Sequence, residues 1–214
     1  MNDKIAQIID VGKWVMDKGL TWGTSGNISA RENDTIYITG SGTVLGNLSS
    51  DDIVVCTMEG EVISGSRKPS KELAMHLAVY RSRKDVGAIL HASPFYSTMY
   101  ACSDVDLKTN LFIEAMYYTE SVATIPYHHA GSLGLAAAVK GVCEKARVIF
   151  MENHGVLVYD TSLAECQNML EITENVCKMN ILANVGHISL KEVSPHQVSD
   201  FLANNYYKKR SSHK

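Results

Sequence analysis

The sequence predicts an α/β layered domain built on a mixed or antiparallel sheet. Stripes of helical period alternate with short apolar runs along the chain. That alternation lacks the regular βαβ rhythm of an all-parallel sheet. Two of the runs, 53–57 and 61–63, are joined closely around Gly60, as in a hairpin.

The elements follow in order. Residues 3–18 place Ile5, Ile8, Ile9 and Val15 on one helical stripe, with Gly19 as the stop. A glycine-rich segment, Gly23-Thr-Ser-Gly-Asn-Ile-Ser, comes next, then a β-type run at 35–38 that ends in Gly40-Ser-Gly. After the hairpin, Ser70 opens a helix to Ser82 with Leu73, His76, Leu77 and Tyr80 inward. Residues 87–90 read as a buried strand, and Pro94 starts a helix, where its fixed φ suits the first turn. Ser132 caps a helix to Val142. Apolar runs at 148–151 and 156–159 flank Glu152-Asn-His-Gly. Helices over 162–185 and 194–205 complete the chain, the last with Val198, Phe201 and Leu202 on one side.

Composition narrows the function classes. The 214 residues fit one domain or a compact pair, and 45% hydrophobic with 20% charged residues supply an ordinary core. A net charge of −3 gives no basic face, so no nucleic-acid partner is expected. No stretch approaches the ~20 apolar residues of a bilayer span, and no signal-peptide pattern opens the chain. The five cysteines form no C-x-x-C and read as reduced thiols. A cytoplasmic protein is the expectation.

A few residues are placed for chemistry. His91 ends the 87–90 run and His154 sits in a turn between two strands, rigid positions that open on a cleft. Neutral imidazole ligates zinc, although a lone histidine is more often a structural hydrogen-bonder. Gly155 beside His154 permits close approach. Glu72, in the first turn of its helix, suits either the helix dipole or general acid/base work. Gly23 to Ser29, Ser41-Gly42, and Ser70 with Lys71 at a helix start could together hold a phosphate. No nucleotide-binding glycine motif is present.

Read in order, Gly23-Thr-Ser-Gly-Asn-Ile-Ser, Ile38-Thr-Gly-Ser-Gly, Lys68-Pro-Ser-Lys-Glu, Ala88-Ile-Leu-His, Pro126-Tyr…Gly131-Ser and Asn153-His-Gly form a series. The chain resembles the class II aldolase/adducin family from residue 3 to about 185. The resemblance implies one three-layer α/β/α domain over 1–214, with a central mixed, largely antiparallel sheet and a C-terminal helix and tail from about 190. It implies a homotetramer with sites between neighbouring subunits. It also implies a small phosphorylated sugar as substrate and a divalent metal, zinc first and manganese or magnesium next, that stabilises an enediolate. Carried over, His91 and His154 are metal ligands and Glu72 is the catalytic acid/base. Gly26, Asn27, Ser41, Gly42, Ser70 and Lys71 form the phosphate pocket.

One departure stands out. The family carries His-x-His at the strand end, where this chain has His91-Ala-Ser93. Three readings stay open. His128 or His129 supplies the third imidazole; Glu72 or water completes a more oxygen-rich site; or the site has lost its metal and serves an adducin-like interaction. Tyr117 or Tyr118, and Tyr206 or Tyr207, match the family's catalytic tyrosines only loosely. Within the family's chemistry, a ketose 1-phosphate aldolase is the leading expectation, ahead of a 4-epimerase or a 3-oxo acid phosphate decarboxylase.

Overall fold

The structure is a computed structural model that describes residues 3–208. Helix α1 (Asp3–Asp17) precedes strands β1 (Asn27–Glu32), β2 (Thr35–Thr39), β3 (Ile53–Thr57) and β4 (Val62–Ser64). Next come α2 (Leu73–Ser82), β5 (Ala88–Ala92), α3 (Phe95–Ala101), α4 (Ile113–Tyr118), β6 (Val122–Ile125) and α5 (Leu133–Val142). The chain continues through β7 (Val148–Met151), β8 (Gly155–Asp160), α6 (Leu163–Val185) and α7 (Pro195–Ala203). The strands form one eight-stranded sheet in the order β4-β3-β2-β1-β5-β8-β7-β6. Every neighbouring pair is antiparallel except β6 and β7. The expected mixed sheet is what forms.

The period-two alternation of side chains sorts the core into two layers. Ala88, Leu90 and Ala92 of β5 join Ile28 and Ala30 of β1 on one face, against Val11 and Val15 of α1 and Met169 and Leu170 of α6. Ile89, with Leu157 and Tyr159 of β8, faces the other way, onto Met75 and Val79 of α2 and Leu135 and Val139 of α5. On β1, Asn27 and Ser29 alternate with Ile28 and Ala30, and both are buried. They project towards α2. This polar alternation masks β1 in the sequence, where the segment shows only as glycine-rich. Two other short elements, α4 and β6, were also unassigned; neither is long enough to display a period.

Two boundaries differ from expectation. Helix α2 begins at Leu73 rather than Ser70, because Lys68 and Ser70 pair with the strand side of the molecule. Ser70 N–H donates to Thr39 O at 3.0 Å, and Ser41 N–H donates to Lys68 O at 2.9 Å. Glu72 therefore stands at the residue before α2, and its side chain makes no capping bond to the helix. Helix α3 does start behind Pro94, but Pro94 offers no capping side chain. The cap comes from α6 instead. Glu174 accepts from the backbone N–H groups of Tyr96 and Ser97, at 2.9 and 2.7 Å, and from the Ser97 hydroxyl at 2.7 Å. This clamp fixes the chain immediately after β5.

Glu174→Ala removes all three bonds and leaves the α3 donors uncapped. We expect a loss of about 1–3 kcal/mol in unfolding free energy by urea titration. A variant as stable as the parent would show that solvent caps α3 equally well.

Candidate active site

The register of β1 against β5 sets the site. Asn27 lies directly opposite His91, and Ser29 opposite Ile89. Asn27 and His91 therefore share the face that α2 covers, and the start of α2 brings Glu72 down onto them. His154 arrives from the β7–β8 turn, where Asn153 has φ 53° and His154 N–H donates to Met151 O at 3.1 Å. Gly155 closes that turn. A Cβ there would lie 2.7 Å from Ala92 O and 3.3 Å from His91 Cε1, so only glycine brings the turn this near β5.

The result is a compact donor set. Glu72, His91 and His154 each offer one ligand atom, and these atoms lie within 4.8 Å of one another. His91 Nε2 is 3.4 Å from Glu72 Oε2, and His154 Nε2 is 3.2 Å from Glu72 Oε1. His91 Nδ1 lies 3.0 Å from Val156 O. That bond requires a proton on Nδ1, which leaves the Nε2 lone pair directed at the cluster, the tautomer a metal ligand needs. Glu72 Oε1 is buried, and no donor is aligned to hydrogen-bond it. Two imidazole nitrogens and an orphaned carboxylate oxygen suit a divalent cation.

Electrostatics agree. Burial tends to raise the Glu72 pKa, but His91, the nearby His154 and the Asn27 hydrogen bond outweigh it and hold the carboxyl well below the usual range. Burial drives the His91 pKa down, only partly offset by Glu72. An ionised carboxylate beside a neutral imidazole is the state that binds metal.

The other expected residues gather around this cluster. Gly26, Asn27, Ser41, Gly42, Ser70 and Lys71 line the same cleft, of about 290 Å³, as Glu72, His91 and His154. The cross-pairing of Ser41 with Lys68 and of Ser70 with Thr39 holds its two polar walls together. Thr24 and Ser25, within the glycine-rich segment expected there, also line it, as does Thr43, to which no sequence motif points.

Other candidates lie elsewhere. Ala130 reaches the cleft, whereas His128 packs beside Gly134 and exposed His129 shares a 3.0 Å hydrogen bond with Tyr127. Neither joins the ligand cluster. Ser93 is buried, 2.6 Å from the Ser25 hydroxyl, so the position of the missing imidazole is occupied by a serine pair. Tyr117, Tyr118 and Tyr207 stack on one another on the α6 side of the sheet, Tyr206 is exposed, and none of the four lines the cleft. No helix among the described residues is long and apolar enough to cross a membrane.

Comparison with known proteins follows the same lines. The family model described as Class II Aldolase and Adducin N-terminal domain matches residues 6–181. An L-fuculose phosphate aldolase of Methanococcus maripaludis (strain C5) is 31% identical, over 84% of this chain and 97% of its own. A 3-oxo-tetronate 4-phosphate decarboxylase of Haemophilus influenzae is 33% identical, over 80% and 84%. Among solved structures, an L-fuculose 1-phosphate aldolase superposes with a TM-score of 0.87 at 27% identity, covering 97% of this chain and 98% of that one.

The purified protein is expected to hold about one divalent cation per chain, by elemental analysis. The double variant His91→Ala/His154→Ala should lose it, while His128→Ala and His129→Ala should retain it. Unchanged metal content in the double variant would remove the assignment. Loss of metal on truncating His128 or His129 would bring the loop back as a ligand source.

Proposed function

The chain belongs to the class II aldolase and adducin family, and from that premise we propose that it is a metal-dependent sugar-phosphate aldolase, a lyase that cleaves a ketose 1-phosphate through its enediolate. The observation that supports this reading is the cleft itself, where a buried carboxylate beside two imidazoles shares its walls with hydroxyl and glycine residues. The similarity to L-fuculose phosphate aldolases supports the choice of substrate class.

In this reading the substrate phosphate lies among Gly26, Asn27, Ser41, Gly42, Ser70 and Lys71. Lys71 places a cation near an anion that the hydroxyls and backbone N–H groups orient. The hydroxy-ketone end then points at His91, His154 and Glu72. A divalent cation held there supplies, when bound, Lewis-acid stabilisation of negative charge on the substrate oxygens. Zinc is the first expectation, and the carboxylate oxygen in the set also suits manganese or magnesium.

Glu72 handles the proton. In the condensing direction its carboxylate removes a proton from the carbon beside the carbonyl. The resulting enediolate attacks an aldehyde carbon, the carbon–carbon bond forms and the aldehyde oxygen takes up a proton. In cleavage the same bond breaks, and Glu72 returns its proton to the carbon of the enediolate. Being buried and tied by Asn27, the carboxylate has little freedom to rotate away. The family resemblance also supports a homotetramer, in which Tyr206 or Tyr207 of a neighbouring chain would reach the substrate.

The decarboxylase from Haemophilus influenzae favours a second reading, release of carbon dioxide from a phosphorylated 3-oxo acid. Both reactions develop charge on the same oxygens, so the metal cluster serves either. Turnover of ketose 1-phosphates against 3-oxo acid phosphates separates them.

Glu72→Gln keeps the shape and removes the base. Its turnover on L-fuculose 1-phosphate should fall by ~10²–10⁴. Exchange of solvent deuterium into dihydroxyacetone phosphate, which reads enolisation alone, should fall in parallel. Parental rates in both assays would exclude Glu72 from proton transfer.

A further inference from the structure

Behind Glu72 runs a buried chain of polar groups that the mechanism above leaves unused. Asn27 Nδ2 donates to Glu72 Oε2 at 2.8 Å, and Asn27 Oδ1 lies 2.6 Å from His76 Nε2. His76 Nδ1 is 2.7 Å from Ser29 Oγ, which is 2.8 Å from the Tyr80 hydroxyl. His76, Ser29 and Tyr80 are wholly inaccessible to solvent, and Asn27 and Glu72 are buried.

Donor counting allows the chain one direction. An ionised carboxylate only accepts, so Asn27 must present its NH₂ group to Glu72. Its carbonyl oxygen then faces His76 and needs a proton on Nε2. In the neutral ring Nδ1 becomes an acceptor and takes the Ser29 hydroxyl proton, leaving Ser29 Oγ to accept from Tyr80. Reversing Asn27 would set oxygen against oxygen at Glu72 and leave a buried amide nitrogen facing the Nε2–H. Burial also keeps His76 uncharged, its pKa lowered to about 3 against the opposing pull of Glu72.

We infer that His76 is a positioning residue for Glu72. It sets the sense of the Asn27 amide, and that amide holds Oε2 beside His91 so that the other oxygen, Oε1, faces His154. An apolar side chain would fill the space between α2 and the sheet without partners; the imidazole supplies direction. Asn27 also keeps a second N–H for the cleft, so one amide links the phosphate wall to the proton-transfer group. This inference rests on the reading of Glu72 as acid/base, but part of its test does not.

The test uses the metal-loaded full chain and the variants His76→Phe, His76→Gln and Tyr80→Phe. With L-fuculose 1-phosphate, His76→Phe should lose about 10–100-fold in kcat while KM stays within about threefold. His76→Gln, whose amide can still donate to Asn27, should recover most of that loss, and Tyr80→Phe should fall between. Equal losses in the two His76 variants, no loss in His76→Phe, or a change confined to KM would overturn the proposal. Should His76→Phe fail to fold, the Gln and Tyr80 variants still decide. Nitrogen-15 NMR of histidine-labelled protein gives the activity-independent arm. His76 should appear as the neutral Nε2–H tautomer with an exchange-protected proton, and Asn27→Ala should remove that protection. An Nδ1–H tautomer or an imidazolium at neutral pH would overturn the proposal. A parent protein inactive on ketose 1-phosphates, yet showing the protected Nε2–H, would sink the functional reading and leave the positioning role standing.

Discussion

The pairing of Asn27 with His91 across β1 and β5 is the constraint on which the site depends. In a strand, a shift of one residue turns every side chain to the opposite face. Here such a slip would carry Asn27 and Ser29 into the apolar layer under α1 and α6, and would bring Ile28 and Ala30 beneath α2. Both core layers oppose it, because Ile28 and Ala30 are already packed against Leu90 and Ala88. The apolar face of β1 thus fixes the place of its polar face, and the polar face holds Glu72. Stability and chemistry are written on alternate residues of one six-residue strand.

The same reasoning explains what was legible in the sequence. Long elements such as α1, α6 and the β7–β8 pair carry clear periods or unbroken apolar runs. Strand β1 did not, because the residues that would complete its apolar pattern had been given to the polar chain behind Glu72. His76 was read as an inward-facing helix residue, which it is, yet helix periodicity cannot say that the inward surface is polar at that point. That knowledge requires β1 to lie opposite. Likewise, Thr43 belongs to a loop whose place beside the cleft depends on long-range pairing. Glu72, His91, His154 and the polar residues of the cleft walls stand out because each occupies a strand end, a helix start or a tight turn.

Ser93 shows how a substitution can be absorbed. A serine in place of an imidazole leaves space, and here the Ser25 hydroxyl meets it at 2.6 Å. The pair is self-satisfied, so position 93 adds no orphaned polar group to the cleft. The unsatisfied atom is on the neighbouring carboxylate, at Glu72 Oε1. The donors left in the cluster are two imidazoles and one carboxylate.

The glycines add a consequence for how this surface tolerates change. A methyl group on Gly26, where φ is +88°, would sit 2.7 Å from His91 O; on Gly155 it would sit 2.7 Å from Ala92 O. The backbone of β5 is thus squeezed from both sides at the very residues that carry the imidazole. Neither glycine has a side chain to bind or react, yet an inventory of sensitive positions compiled from activity loss alone would rank both beside the histidines. Their sensitivity reports the thickness of the molecule at that point, where three strands of backbone meet with no side chain between them.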